Sequence, residues 1–220
     1  WGFFNLEKEY KIAIIGLGYV GLPLALAFSE YYKLLGYDIN AKRVADLNEE
    51  IDSNLDVIVK SNSNLSFSSD ENELKESNIY IITVPTPVDK ENAPDLSFLK
   101  FASELVARYL KEDDVVIYES TVYPGVTEDF CVPILADISG LSYNSDFYCG
   151  YSPERISPGA EKYTLTNVVK ITSGSTLKTT DLVDNLYSKI IKAGTYKAPS
   201  IKVAEAAKVI ENTQRDVNIA

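Results

Sequence analysis

Residues 11–21 read KIAIIGLGYVG. The apolar, β-branched run up to Ile15 predicts a buried parallel strand. A Gly-x-Gly-x-x-Gly turn follows at Gly16, Gly18 and Gly21, and a helical pattern opens behind it. The pattern alone is weak, and the strand-before, helix-after context is what makes it a dinucleotide fingerprint. Gly16 allows the tight turn, Gly18 lets the backbone approach a pyrophosphate, and Gly21 lets helix and strand pack closely. The N–H groups of the helix N-terminus then face the phosphates.

Asp38 closes the next apolar run, about twenty residues on, where an acid hydrogen-bonds the adenosine ribose hydroxyls. A carboxylate there disfavours the extra phosphate of NADP, so NAD is the expected cofactor. The other reading of Asp38 is a solvated loop acid or a cap for the helix that begins at Ala41. Arg43, one helical turn further, either covers the adenine or a phosphate or is a solvated helix residue.

Outward from this unit, short apolar runs alternate with amphipathic stretches. Strands are expected over 11–15, 34–37, 79–84, 115–118, 147–151 and 168–172. Helices are expected over 19–32, 41–51, 96–110 (with Asp95 as a cap), 125–138 and 179–191, and after Pro199. The polar stretch 61–70 reads as irregular. The alternation predicts an α/β fold, a Rossmann-type doubly wound parallel sheet with helices on both faces. Ligands of such sheets bind beyond the carboxyl ends of the strands. Gly16, Asp38, Pro85, Pro87, Ser120, Thr121, Ser152 and Glu154 all fall there.

Composition narrows the function. The 220 residues are 45% hydrophobic, ordinary for a globular core, and no apolar run reaches the length of a membrane span. The first ten residues, WGFFNLEKEY, lack the order of a secretory signal, so a soluble cytoplasmic protein is expected. A net charge of −11 argues against nucleic acid, though not against a nucleotide held by backbone N–H groups. With no His, neither a Ser-His-Asp nor a Cys-His site can form, and no metal site is expected. Cys131 and Cys149 lack metal spacing and read as buried structural thiols. With no Met in the chain, Trp1 is expected not to be the native start, and RDVNIA at the other end carries no helix stop signal. The chain is therefore expected to be part of a longer one.

Several ordered blocks resemble one family. They are GLGYVGLPLA at 16–25, YDIN at 37–40, VPTP at 84–87, ESTVYPG at 119–125, GYSPERISPG at 150–159 and AGTYKAPSIKVAEAAKVIENTQRDVNIA at 193–220. The sequence is similar to the UDP-glucose / UDP-N-acetylhexosamine 6-dehydrogenases, which oxidise the sugar C6 alcohol to a carboxylate with two NAD. GYSPER followed by ISPG resembles the N-acetylhexosamine branch, whereas the glucose branch typically reads Asn-Pro-Glu-Phe.

The resemblance implies roles at matching positions. Tyr19, Val20, Val84, Pro85, Thr86, Ser120 and Thr121 would line the cofactor together with the three glycines, Asp38 and Arg43. Thr121 would also bond the catalytic water or sugar. Glu154 would be the base toward water in hydrolysis of the acyl intermediate. Lys208 would stabilise the developing C6 oxyanion, and Asn212 would donate to the same oxygen. Positions i and i+4 share a helix face, so the last two can converge, and a cation with an amide donor is what a developing oxyanion needs. The competing readings are a Lys208 paired with Glu205 or Glu211, a water-facing Asn212, a Glu154 bridged to Arg155 and a Thr121 that caps the next helix.

The resemblance further implies a division into an NAD-binding domain over 1–197 and the start of a long interdomain and dimerisation helix over 198–220. A UDP-binding domain and the family's nucleophilic cysteine lie outside this chain, which alone is expected to be inactive. Many members carry a second acid four positions after the one matching Glu154, where this sequence has Pro158. The expected partners are a UDP-N-acetylhexosamine and, at full length, a second copy. Three other readings remain at this point. They are a UDP-glucose 6-dehydrogenase, a stand-alone NAD-sensing module without chemistry, and a dehydrogenase of the hydroxyacid or 6-phosphogluconate kind.

Overall fold

The computed structural model describes residues 9–51, 62–154 and 167–219. In chain order these form β1 (Lys11–Ile15), α1 (Gly21–Ser29), β2 (Lys33–Tyr37), α2 (Ala41–Asn48) and β3 (Leu65–Ser68). A 3-10 turn (Glu71–Glu76), β4 (Ile79–Ile82), α3 (Ser97–Ala107) and β5 (Asp114–Tyr118) follow. A π-helical segment (Val126–Cys131) then runs into α4 (Val132–Ser139), followed by β6 (Phe147–Tyr151), β7 (Lys170–Gly174), α5 (Leu177–Ile190), β8 (Thr195–Lys197) and α6 (Ile201–Ile219).

The strands make one sheet in the order β3-β2-β1-β4-β5-β6-β7-β8. Every neighbouring pair is parallel except β6–β7. From β1 the chain first builds β2 and β3 to one side, then crosses back to build β4, β5 and β6 on the other. At that reversal the loops leaving β1 and β4 diverge and open a crevice.

Alternate residues of each central strand serve opposite faces. Ala13, Ile15, Tyr80 and Ile82 pack with α3, α4 and the start of α6, through Leu105, Leu135 and Ile201. Ile12, Ile14, Ile79 and Ile81 pack with α1 and α5, through Leu24, Phe28, Val183 and Leu186. Strands buried on both faces read as unbroken apolar runs, which is why β1, β4 and β5 are legible in the sequence.

The polar strands are the ones the pattern hides. The stretch expected to be irregular contains β3, paired with β2 through Leu34↔Leu65 to Tyr37↔Ser68. Its Leu65 and Phe67 pack against the core while Ser66 faces solvent, an alternation too short to stand out in a polar stretch. The short edge strand β8 was hidden for the same reason. The antiparallel run of β7 differs from the expected all-parallel sheet, because an apolar pattern reads alike in both directions. The expected helix over 125–138 is a π segment plus α4, whose first turn carries Pro133 without an N–H to donate. The expected boundary at 197/198 falls between β8 and α6, and α6 packs on β6, β7 and the π segment. Among the described residues no helix is long and apolar enough to cross a membrane.

Candidate active site

The crevice is a cleft of about 460 Å³ whose walls are the loops leaving β1, β2, β4, β5 and β6. Its floor is the glycine turn. Gly16 has φ +96, and a Cβ on Gly21 would sit 1.9 Å from the Gly16 carbonyl oxygen. Only glycines let the strand turn so sharply into α1. A Cβ on Gly18 would meet no atom within 4 Å, so that position borders open space. No side chain caps the start of α1, where Val20 stands in the cap position beside the exposed Tyr19. Open space in front of uncapped helix amides fits a pyrophosphate.

Asp38 sits at the end of β2 with Oδ2 accepting the Leu17 amide at 2.8 Å and Oδ1 accepting the Asn40 amide at 2.9 Å. The cap of α2 is Asn40, whose Oδ1 accepts from Lys42 and Arg43, so Asp38 is not that cap. A carboxylate offers about four acceptor sites, so both oxygens retain room for hydroxyl donors. Arg43 is buried, not solvated, and its Nε donates to the Leu17 carbonyl at 3.2 Å. It ties α2 to the glycine turn.

The opposite wall is cross-linked by hydroxyls. Ser120 donates to the Val84 carbonyl and Thr86 to the Thr121 carbonyl, each at 2.6 Å. These bonds lock the Val84–Pro85–Thr86 loop to the loop after β5, and the Thr121 side chain stays exposed to the cleft. Thr121 is not a helix cap, since Gly125 occupies that position before the π segment.

Glu154 lines the cleft beyond β6 and is nearly buried. Its Oε2 lies 3.4 Å from Lys170 Nζ, and its backbone carbonyl accepts a hydrogen bond from Lys208 Nζ. Lys208 is therefore not on a solvated face, and burial lowers its pKa against the pull of Glu211 and Glu154. Glu205 is not its partner, because that carboxylate is buried and accepts the amides of Gly125 and Thr127. Asn212, one turn further along α6, is half-buried, and its Oδ1 accepts from Arg215 at 2.6 Å. Thr121 and Glu154 thus line the cleft and Lys208 is tied to Glu154, while Asn212 bonds within its own helix. Arg155 and Pro158 lie outside the described residues.

Residues 10–191 match the UDP-glucose/GDP-mannose dehydrogenase family, NAD binding domain. The chain belongs to this family. A UDP-N-acetyl-D-glucosamine 6-dehydrogenase from Salmonella typhi is 58% identical over 215 residues, covering 96% of this chain and 51% of that protein. One from Pseudomonas aeruginosa is 55% identical, covering 97% of this chain and 51% of that protein. The solved structure of a UDP-D-ManNAc dehydrogenase from Pyrococcus horikoshii superposes with a TM-score of 0.88 at 35% identity, over 95% of this chain and 51% of that one. The chain thus spans about half the length of the curated relatives it matches, and it carries their NAD-binding domain.

Several residues of this NAD-binding domain escaped the sequence reading. Thr83 donates to the Gly16 carbonyl at 2.8 Å and holds the glycine turn from behind. Glu119, Lys170 and Tyr187 form a buried polar cluster beneath Glu154, with Lys170 Nζ 2.7 Å from Glu119 and the Tyr187 hydroxyl donating to Glu119. The available signal was a lysine inside the apolar run Val168–Val169–Lys170–Ile171, since a charge in a buried strand needs a partner.

Proposed function

We propose that the protein oxidises the C6 alcohol of a UDP-N-acetylhexosamine to the uronic acid with two NAD, for a surface polysaccharide. The observation that carries this is the hydrogen bond from Lys208 to the backbone carbonyl of Glu154, which lines the glycine-turn cleft together with Thr121. The gluco configuration is the first choice, because the relatives 58% and 55% identical to this chain bear that name.

NAD, when bound, supplies the hydride acceptor. The Gly16–Gly21 turn would hold its pyrophosphate, Asp38 its ribose hydroxyls, and the Val84–Thr86 and Ser120–Thr121 loops the rest. Thr121 would bond the sugar or water beside it. Lys208, with Asn212 once its amide turns toward the cleft, would stabilise negative charge at the C6 oxygen. Glu154 would take the proton from water during hydrolysis. Neither cysteine suits the nucleophile's part. Burial pushes the Cys131 thiol up to about 12 and raises Cys149 as well, which leaves both un-ionised and inert. The thiol step is assigned to the part of the relatives that this chain does not span, as is the UDP pocket.

Residues 198–220 belong in this reading to an interdomain helix that pairs two copies. Ile210 and Val217 support it, at 67% and 69% exposure on α6. Light scattering that finds the complete gene product monomeric would remove this part. The reading also places the protein in the cytoplasm, where NAD and nucleotide sugars are made, and recovery in a membrane or secreted fraction would count against it.

The test is an assay of the complete gene product with NAD and UDP-N-acetyl-D-glucosamine. Two NADH per uronic acid formed is the expected result. NADH from UDP-glucose alone would favour a UDP-glucose 6-dehydrogenase. NAD binding with no NADH from any UDP-sugar would leave a sensing module.

A further inference from the structure

Beneath the cleft wall, two carboxylates share one buried ammonium. Lys170 Nζ lies 2.7 Å from Glu119 Oε2 and 3.4 Å from Glu154 Oε2, with side-chain exposures of 3%, 0% and 9% in the order Lys170, Glu119, Glu154. Tyr187 of α5 closes the far side. Its hydroxyl donates to Glu119, and its ring lies 5.2 Å from Lys170 Nζ. Lys208 of α6 holds the Glu154 backbone. Among the described residues, these are charged and titratable groups that pack around Glu154 from the end of β5 and from β7, α5 and α6.

A buried charge persists only when it is paired and hydrogen-bonded, and a stability role alone is a poor reason to keep an ion cluster in a core. Three features of this cluster point outward. Glu119 and Glu154 both line the cleft, Glu154 is the more exposed of the two, and the lysine between them is out of reach of solvent. We propose that Lys170 and Glu119 are positioning residues for Glu154: Glu119 anchors the Lys170 ammonium in the core, and that ammonium holds the Glu154 carboxylate oriented and charged at the wall of the cleft.

The electrostatics give this arrangement a direction. Two carboxylates sharing one ammonium do not ionise with equal ease. Burial pushes Glu119 up to about 7, with Lys170 pulling it down and Glu154 pushing it further up. Burial also works to discharge Lys170, but Glu119 and Glu154 outweigh it and raise its pKa above the ordinary lysine value. The ammonium thus stays charged in the core, within reach of the carboxylate at the cleft as well as of Glu119. This deepens the proposed function and rests on its assignment of Glu154 as base.

The test is the pH dependence of NADH formation by the complete gene product, measured for wild type, Lys170→Met, Lys170→Arg and Glu119→Gln. Loss of the ammonium should move the acidic limb of the Lys170→Met profile up by about one pH unit or more, and Lys170→Arg should return it toward wild type. Wild type should carry an inflection near pH 7 from Glu119 that is missing in Glu119→Gln. A folded Lys170→Met with a lower rate but an unmoved limb would reduce the cluster to a structural role and overturn the proposal. If Lys170→Met does not fold, an inflection that persists in Glu119→Gln does the same. A wild type that makes no NADH from any UDP-N-acetylhexosamine sinks the dehydrogenase reading instead. Carboxyl 13C titration of Glu154 in this chain, with and without Lys170→Arg and Glu119→Gln, then decides the electrostatic coupling, and curves that superimpose would end it.

Discussion

Glu205, buried in α6, accepts the Gly125 amide at 2.6 Å through one carboxylate oxygen and the Thr127 amide at 2.9 Å through the other. A single side chain thereby fixes the helix that carries Lys208 to the loop that carries Thr121. The pair of amides sits where the π segment begins, so the carboxylate also answers the unpaired N–H groups of that helical start.

Removing this carboxylate strands two buried donors. Glu205→Ala should destabilise the chain by about 2–5 kcal/mol, since each orphaned group costs about 1–3 kcal/mol. Urea unfolding followed by circular dichroism reads the change. A midpoint equal to that of wild type would mean that α6 is held by its apolar contacts alone.

The three glycines should separate by phenotype. Gly21→Ala places a methyl 1.9 Å from the Gly16 carbonyl oxygen, and overpacking of that kind costs about 1–3 kcal/mol or more. It should lower the melting temperature and cofactor affinity together. Gly18→Ala meets nothing within 4 Å, so it should melt like wild type and lose only affinity for NAD. Unchanged affinity in Gly18→Ala would show that no pyrophosphate lies against the chain at that position.

Glu119 gives stability a pH slope of unusual sign. Its folded pKa, about 7, lies above the ordinary value of 4.5, so the native state binds the proton more readily than the unfolded chain does. Stability should then fall as pH rises from about 4.5 to about 7 and level off above, by on the order of a few kcal/mol. Lys170, whose pKa is raised, contributes fully throughout that window and is lost only in strong alkali. Denaturant unfolding at pH 5.5 and pH 7.5 should show the slope in wild type and a flatter response in Glu119→Gln, about one carboxyl's worth. Equal slopes in the two proteins would place the titrating group elsewhere.

The elements that position the cofactor were the legible ones. β1, β4 and β5 are buried on both faces and announce themselves as apolar runs, and the glycine spacing is legible because it stands between such a run and a helical pattern. β3 and β8 were not legible, because edge strands of four and three residues are too short to show a pattern, even with Leu65 and Phe67 of β3 packed on the core. At the site, Asp38, Thr121 and Glu154 could be named from strand ends and motif blocks, and the structure puts all three on the cleft. Glu119 was quoted within a block but given no task, since its partners Lys170 and Tyr187 are 51 and 68 residues away in sequence. The one local sign was Lys170 inside an apolar run, which calls for a partner without saying which. Arg43 shows the converse: its place near the cofactor loop was readable, but its burial against the Leu17 carbonyl was not.

Calorimetric titration of this chain with NAD and NADP, in wild type and Asp38→Ala, tests the cofactor cleft directly. Wild type should bind one NAD per chain and bind NADP more weakly by several kcal/mol, because the Asp38 carboxylate repels a phosphate on the ribose. Asp38→Ala should weaken NAD and narrow the gap. No heat with NAD, or equal binding of the two dinucleotides by wild type, would contradict the assignment of this cleft as an NAD site.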